Sequence, residues 1–417
     1  MYISLDLGST NFKAGIFDDG LNLQGTARYI LKYADLPDNR IELDAEEVNT
    51  GIREIAHEAL LCAGIGPQDI KSVSVASQAQ TFIILDNKDV PKTRFISWQD
   101  MSAVNTEMNL PDFADHSSFG IPFPGLQVCL LKHIQDTQPG FIAEDDSILK
   151  LPSYIIRNMT GKSYLDNNLA SMSGLFSLKT GFWWKDALLT CRLKPSQLPD
   201  ICPVGTVAAI TNKDAEMYGL PVNVPVISAG NDQTAGAYGT EIHRSGSLLI
   251  TLGTAQVAYQ CLSRMPLPSS KLVRGPYPYG LFYRMAADSA GGNVINWAKD
   301  IVTSDGSYDT FFSLAASSPS GCRGVKFIFD DRTNQGCWQP KGEPSDLARS
   351  VLECLSKRMA NLMEELAVNL DNVEIVCGGG GSKKQIWLDI LSAEVGKKLQ
   401  TTQADPLLGA AMIAAKS

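Results

Sequence analysis

No stretch of this sequence approaches the roughly 18 uninterrupted apolar residues that a membrane-spanning helix needs. Its opening, Met1-Tyr2-Ile3-Ser4-Leu5, lacks the basic start and long apolar run of a secretory signal, so a cytoplasmic location is expected. Positive charge is also short: 36 Lys and Arg face 45 Asp and Glu, a net charge of −9. That balance argues against a protein that tracks a nucleic-acid backbone, while leaving room for a local cationic pocket. The nine cysteines include no CxxC pair, and the four histidines form no cluster with metal-ligand or triad spacing. Reduced, mostly buried thiols are the expectation.

What is present is a chain of 417 residues, 44% hydrophobic and 19% charged. That is ordinary for a soluble globular protein and longer than one core usually serves, so two domains are expected. Ile3, Leu5 and Leu7 alternate up to a Gly8-Ser9-Thr10-Asn11 turn, and Phe12 to Phe17 returns, which predicts a hairpin. Helical spacing follows over Val48 to Leu61, then strands at Val73–Ala76 and Phe82–Leu85. Leu248 to Leu252, Gly253-Thr254 and Gln256 to Ala258 repeat the strand, turn and return of the opening, with Leu-Gly-[Ser/Thr] in both copies. Near the end, Pro344-Ser345 is expected to cap a long amphipathic helix. A strand over Val373–Cys377 runs into Gly378-Gly379-Gly380-Gly381-Ser382, and a small-residue helix covers Leu407 to Ala415. Strands alternating with helices predict an α/β protein.

Several of these junctions can do chemistry. Gly8 lets backbone N–H groups approach an anion while Ser9 and Thr10 add side-chain donors, and Asp6 can hold Mg²⁺ through water. An ordinary turn explains the same residues, and Gly253-Thr254 carries the same two readings. Consecutive glycines between a strand and a helix cost backbone entropy and sit where nucleotides bind α/β sheets. No Gly-Lys-[Ser/Thr] follows them, so the stretch is not a Walker A loop. Asp232, in Ala229-Gly230-Asn231-Asp232-Gln233, follows an apolar strand and can take a hydroxyl proton or help position Mg²⁺. A helix-capping Asp is the competing reading.

Together these motifs resemble the FGGY carbohydrate kinases of the actin-like ATPase superfamily, nearly end to end and in order. The resemblance implies two actin-like (ribonuclease H-like) α/β domains, 1–243 and 244–417, with a nucleotide cleft between them. It implies an ATP-dependent sugar kinase with Asp232 as general base and Asp6 with Asp232 at Mg²⁺. Ser9, Thr10, Asn11, Gly253, Thr254, Gly292, Gly379, Gly380 and Ser382 would hold the nucleotide, with Gly291-Gly292-Asn293 lining the path from sugar to ATP. Trp98-Gln99-Asp100 resembles the family's Trp-x-Asp signature, and Gln78 matches its Ser-Gly-Gln-Met-His-Gly stretch, so Gln78, Trp98, Asp100 and Asp232 are expected at the sugar. Gln80 stands where the family has His, and Met101 where an Arg often follows, which puts the sugar's identity in doubt. Asp405 with Gly409-Ala410-Ala411 resembles the closing Gly-Ala-Ala helix. Trp-Gln-Asp and Gly-Gly-Asn-Val lean toward sedoheptulokinases. Ketoses and polyols of five to seven carbons are the implied substrates, and a homodimer is an expectation of the resemblance alone. A sugar- and ATP-binding regulator on the same scaffold is the alternative, against which the presence of Asp232 stands.

Overall fold

The computed structural model describes residues 1–37, 40–240, 242–333, 335–366, 373–402 and 405–417. The chain forms two compact units: Met1–Glu241 with Ser263–Tyr283 and Ala404–Ser417, and Ile242–Leu262 with Arg284–Gln403. Both compact units are thus discontinuous in sequence, where the expectation is one cut at 243/244. The closing helix, Pro406–Lys416, returns to the first unit because it packs on the helix Asp232–Gly239 and on four strands of that unit's sheet.

The first unit is built on a six-stranded sheet in the order Val207–Ile210, Pro225–Asn231, Ser72–Ser77, Tyr2–Leu7, Asn11–Phe17, Leu23–Ile30. The predicted opening hairpin is present, with Asp6 opposite Lys13. Tyr2–Leu7 and Pro225–Asn231 both run parallel to Ser72–Ser77, so Leu7, Ser77 and Asn231 end together at one edge. Ile3, Leu5 and Leu7 join the core beneath the helix Ala45–Ala63, which supplies Val48, Ile52, Ile55, Ala56 and Ala59 at helical spacing. On the other face Leu407 and Ala411 of the closing helix pack with Phe17 and Tyr2. That helix meets Asp232–Gly239 almost backbone to backbone: a Cβ on Gly409 would lie 1.7 Å from the Ala235 carbonyl oxygen. Close crossing is why the motif reads Gly-Ala-Ala. A four-stranded sheet in the same unit orders Glu42–Leu43, Phe95–Ile96, Phe82–Leu85 and Ser147–Lys150.

A second six-stranded sheet includes, in order, Leu281–Asp288, Gln256–Leu262, Leu248–Leu252, Ile375–Gly378 and Gln400–Thr401. Setting aside one edge strand of each sheet, both sheets thus follow the order third, second, first, fourth, fifth, and in both the first strand pairs antiparallel with the second and parallel with the fourth. The duplication suggested by two short Leu-Gly-[Ser/Thr] matches extends to whole-sheet topology. The long helix is Pro344–Glu365; Glu343 is its N-cap and Pro344 its first residue, where a missing N–H costs nothing, so Pro344-Ser345 is not itself the cap. Among the described residues no helix is long and apolar enough to cross a membrane.

Candidate active site

In the first unit, three parallel strand ends bring Asp6, Gln78 and Asp232 to one edge of the sheet, where open α/β sheets bind ligands. Asp6 is buried, and its Oδ2 accepts from Lys13 Nζ at 3.2 Å while its Oδ1 has no partner. Burial pushes the Asp6 carboxyl above the usual carboxylate range, opposed by the Lys13 ammonium. Asp232 starts its helix behind Asn231, whose side chain caps the Gln233 N–H. Helix capping thus falls to Asn231, and Asp232 Oδ1 also accepts from Gln233 N at 2.8 Å. Although the residue is half-buried, loss of water around the carboxyl and then the neighbouring Asp6 charge push Asp232 up to about 7.

The turn that carries Asp232 needs a glycine: Gly230 has φ +81° and a Cβ there would meet Val204 and Asn168. Asn168 Oδ1 accepts from Asn231 N at 2.9 Å, and its amide donates to Thr234 Oγ1 and the Pro276 carbonyl. In the opening hairpin the Ser9 carbonyl accepts from the Tyr33 hydroxyl and the Thr10 carbonyl from Leu31 N. Thr10 is exposed, Ser9 and Asn11 half-buried, and Asn11 Oδ1 is a buried acceptor without a partner.

The expected sugar residues behave differently from one another. Gln78 is buried, donating to the Gly8 carbonyl at 3.3 Å and accepting from Thr81 Oγ1 at 2.9 Å. Gln80 donates to the Met172 carbonyl. Asp100 is 1% exposed, and both its oxygens are taken: Oδ2 by Ile41 N, Oδ1 by Ser102 N and Oγ. Only Trp98 of this set presents substantial surface, at 42% exposure, with Met101 three residues further on at 41%.

The second unit holds a cavity of about 870 Å³, within the usual range of ligand pockets. Thr254, Gly292, Asn293, Gly380 and Gly381 line it, with Tyr308, Phe312 and Trp387 as aromatic walls. Its floor is backbone on backbone. Gly292 N donates to the Gly253 carbonyl at 2.8 Å and Asn293 N to Thr254 at 3.2 Å. Gly381 lies against Trp387, where a Cβ would come within 2.4 Å of the ring, whereas Gly380 has nothing within 4 Å and faces open space. Gly379 and Ser382 build the turn instead of lining the cavity, Ser382 Oγ donating to the Gly379 carbonyl. The glycine run is therefore a tightly packed turn, not a slack connection. Lys384 is the cavity's cationic residue, paired with Asp309 at 2.7 Å.

Sequence reasoning passed over Lys13, although a hairpin turning at residues 8–10 sets it opposite Asp6. It also passed over Lys150, which is buried with no local signal of its contacts. Among the described residues no three His, Cys, Asp or Glu gather as a metal site.

Comparison with known proteins completes the picture. The chain matches the family model described as the FGGY family of carbohydrate kinases, N-terminal domain, over residues 1–239, and the C-terminal domain model over 248–417. It is 23% identical to a xylulose kinase of Staphylococcus epidermidis, over 99% of this chain and 87% of that protein. It is 24% identical to a glycerol kinase of Trichlorobacter lovleyi, over 99% and 89%. Among solved structures, a xylulose kinase from Rhodospirillum rubrum superposes with a TM-score of 0.88 at 20% identity, covering 99% of this chain and 89% of that one. With both of its halves matched in order, the chain belongs to the FGGY family of carbohydrate kinases.

Proposed function

We propose that this kinase transfers the γ-phosphoryl group of ATP to a hydroxyl of a ketose of five to seven carbons, xylulose first among them, with Asp232 as general base. The observation that carries the reading is Asp232 itself, a carboxylate at the end of a parallel strand whose proton affinity sits near neutrality. A base poised near the working pH can accept the hydroxyl proton as the phosphoryl group moves in line. Xylulose heads the substrates because xylulose kinases recur among the relatives and the structural neighbours.

The remaining roles are assigned on the same reading. Within the first unit, Ser9, Thr10 and Asn11 are the candidates for phosphate contact; within the second, the cavity lined by Thr254 and Gly380 is the candidate place for base and ribose. The residues present suit Mg²⁺: Asp6 Oδ1 is a buried, unpartnered anionic oxygen near a second carboxylate, and Mg²⁺ is usually held by one or two carboxylates with phosphates and waters. Asp6 and Asp232 would hold it, and it would supply neutralisation of phosphate charge. Trp98 offers the acceptor an apolar face. Asp100 and Gln78, whose oxygens are engaged by the protein, shape the acceptor loop around it.

The test is ADP release from Mg-ATP across a panel of ketoses, aldoses and polyols, with Asp232→Asn in parallel. Turnover on one sugar that disappears in the variant supports the reading. Turnover that survives the substitution removes Asp232 from the role of base.

A further inference from the structure

A buried lysine outside the reacting groups ties the acceptor loop to the support of the catalytic turn. Lys150 ends the strand Ser147–Lys150, opposite Phe82, and is 1% exposed. Its Nζ donates to the Ala79 carbonyl at 2.7 Å and to the Leu169 carbonyl at 3.0 Å. Ala79 lies between Gln78 and Gln80. Leu169 follows Asn168, the residue whose side chain holds the backbone of the Asp232 turn. Directly after Lys150, Leu151 N donates to the Thr81 carbonyl, and Thr81 Oγ1 donates to Gln78.

We propose that Lys150 is a positioning residue for the acceptor sugar: its ammonium fixes the Gln78–Thr81 loop against the Asp166–Ser171 segment and so sets the acceptor's place relative to Asp232. The inference rests on the kinase reading above. A charged group is costly to bury, and two neutral carbonyls are modest compensation. Asp166, also buried and held by Ser228 Oγ at 2.5 Å and Leu169 N at 2.9 Å, favours the charged lysine electrostatically, although burial raises its own proton affinity. Burial pushes the Lys150 ammonium down to about 7, with Asp166 opposing the fall. An ammonium donates more strongly to a carbonyl than a neutral group does, and its several N–H groups reach two segments at once.

The experiment compares wild type, Lys150→Met and Lys150→Arg in the full chain, reading sugar KM, kcat, ADP dissociation constant and melting temperature. Expected for Lys150→Met is a sugar KM raised tenfold or more with reduced kcat, while ADP affinity stays within twofold. Lys150→Arg, which keeps the charge but not the shape, should recover part of the loss. Unchanged sugar KM and kcat would overturn the inference. So would an ADP affinity that falls in proportion, or loss of folding in both variants, since the lysine would then serve the whole unit. If wild type phosphorylates no sugar on the panel, the kinase reading itself has failed, a result distinct from all of these.

Discussion

The two glycine turns that open the two sheets share a topology and divide the labour. The first places charge at its edge: Asp6 pairs with Lys13 across the hairpin, and Asp232 lies close enough for Asp6 to raise its proton affinity. The second places almost none there. Gly253-Thr254 is locked by carbonyl contacts to Gly292 and Asn293, and the cavity around it offers backbone, aromatic rings and one lysine already paired with Asp309. On the function proposed above, equivalent strand orders serve proton transfer and phosphate approach in one unit, and close packing around a nucleotide in the other. Variants in the first should alter kcat and its pH dependence, and variants in the second should alter ATP affinity.

The largest effect expected is that of Asp232→Asn, which removes the base while keeping the side chain's shape. General-base catalysis contributes roughly 10²- to 10⁴-fold, so kcat should fall by about that factor with ADP binding unchanged. Equal loss of kcat and ADP affinity would break the comparison. Gly380→Ala and Gly381→Ala come next, as neighbours with opposite surroundings. At Gly381 the added methyl meets Trp387 and the Leu252 side chain. Overpacking of this kind costs about 1–3 kcal/mol, and calorimetry should show a lower Tm. At Gly380 the methyl enters the cavity, so Tm should hold while the KM for ATP rises about tenfold, equivalent to about 1.4 kcal/mol. A Gly380→Ala enzyme with normal ATP affinity would mean the cavity is not the nucleotide's.

These contrasts mark what was readable in the sequence. Both hairpins were legible because period-two alternation closed by Gly-Ser or Gly-Thr is a local signal, and the place of Asp232 at a strand end was legible because it follows an apolar strand directly. The packing behind the glycines was not, since it depends on Trp387 and on Leu252, the latter far away in sequence. The return of Pro406–Lys416 to the first unit was hidden for the same reason: its contacts with residues 232–239 span the chain. For the residues expected at the sugar, the resemblance supplied the residue types, yet only the fold reveals that Asp100 spends both oxygens on Ile41 and Ser102. Lys150 had no signal at all, because a lysine after an apolar run usually marks a surface.

The finest test concerns how Asp232 is tuned. The base acts only when ionised, so kcat/KM in the free enzyme should fall as pH drops through about 7, the value to which burial and then Asp6 raise it. Lys13 works the other way on both carboxyls: it lowers Asp6 by charge and by its hydrogen bond, and lowers Asp232 by charge. Lys13→Met deletes that positive charge. Asp6 and Asp232 should then both hold their protons more tightly, and the acid limb of the profile should move to higher pH. Well above the limb, where Asp232 is ionised in either enzyme, the two rates should converge. A limb that stays in place would show that Asp232 titrates independently of the charge on the first hairpin, and the cluster of Asp6, Lys13 and Asp232 would have to be divided into separate parts.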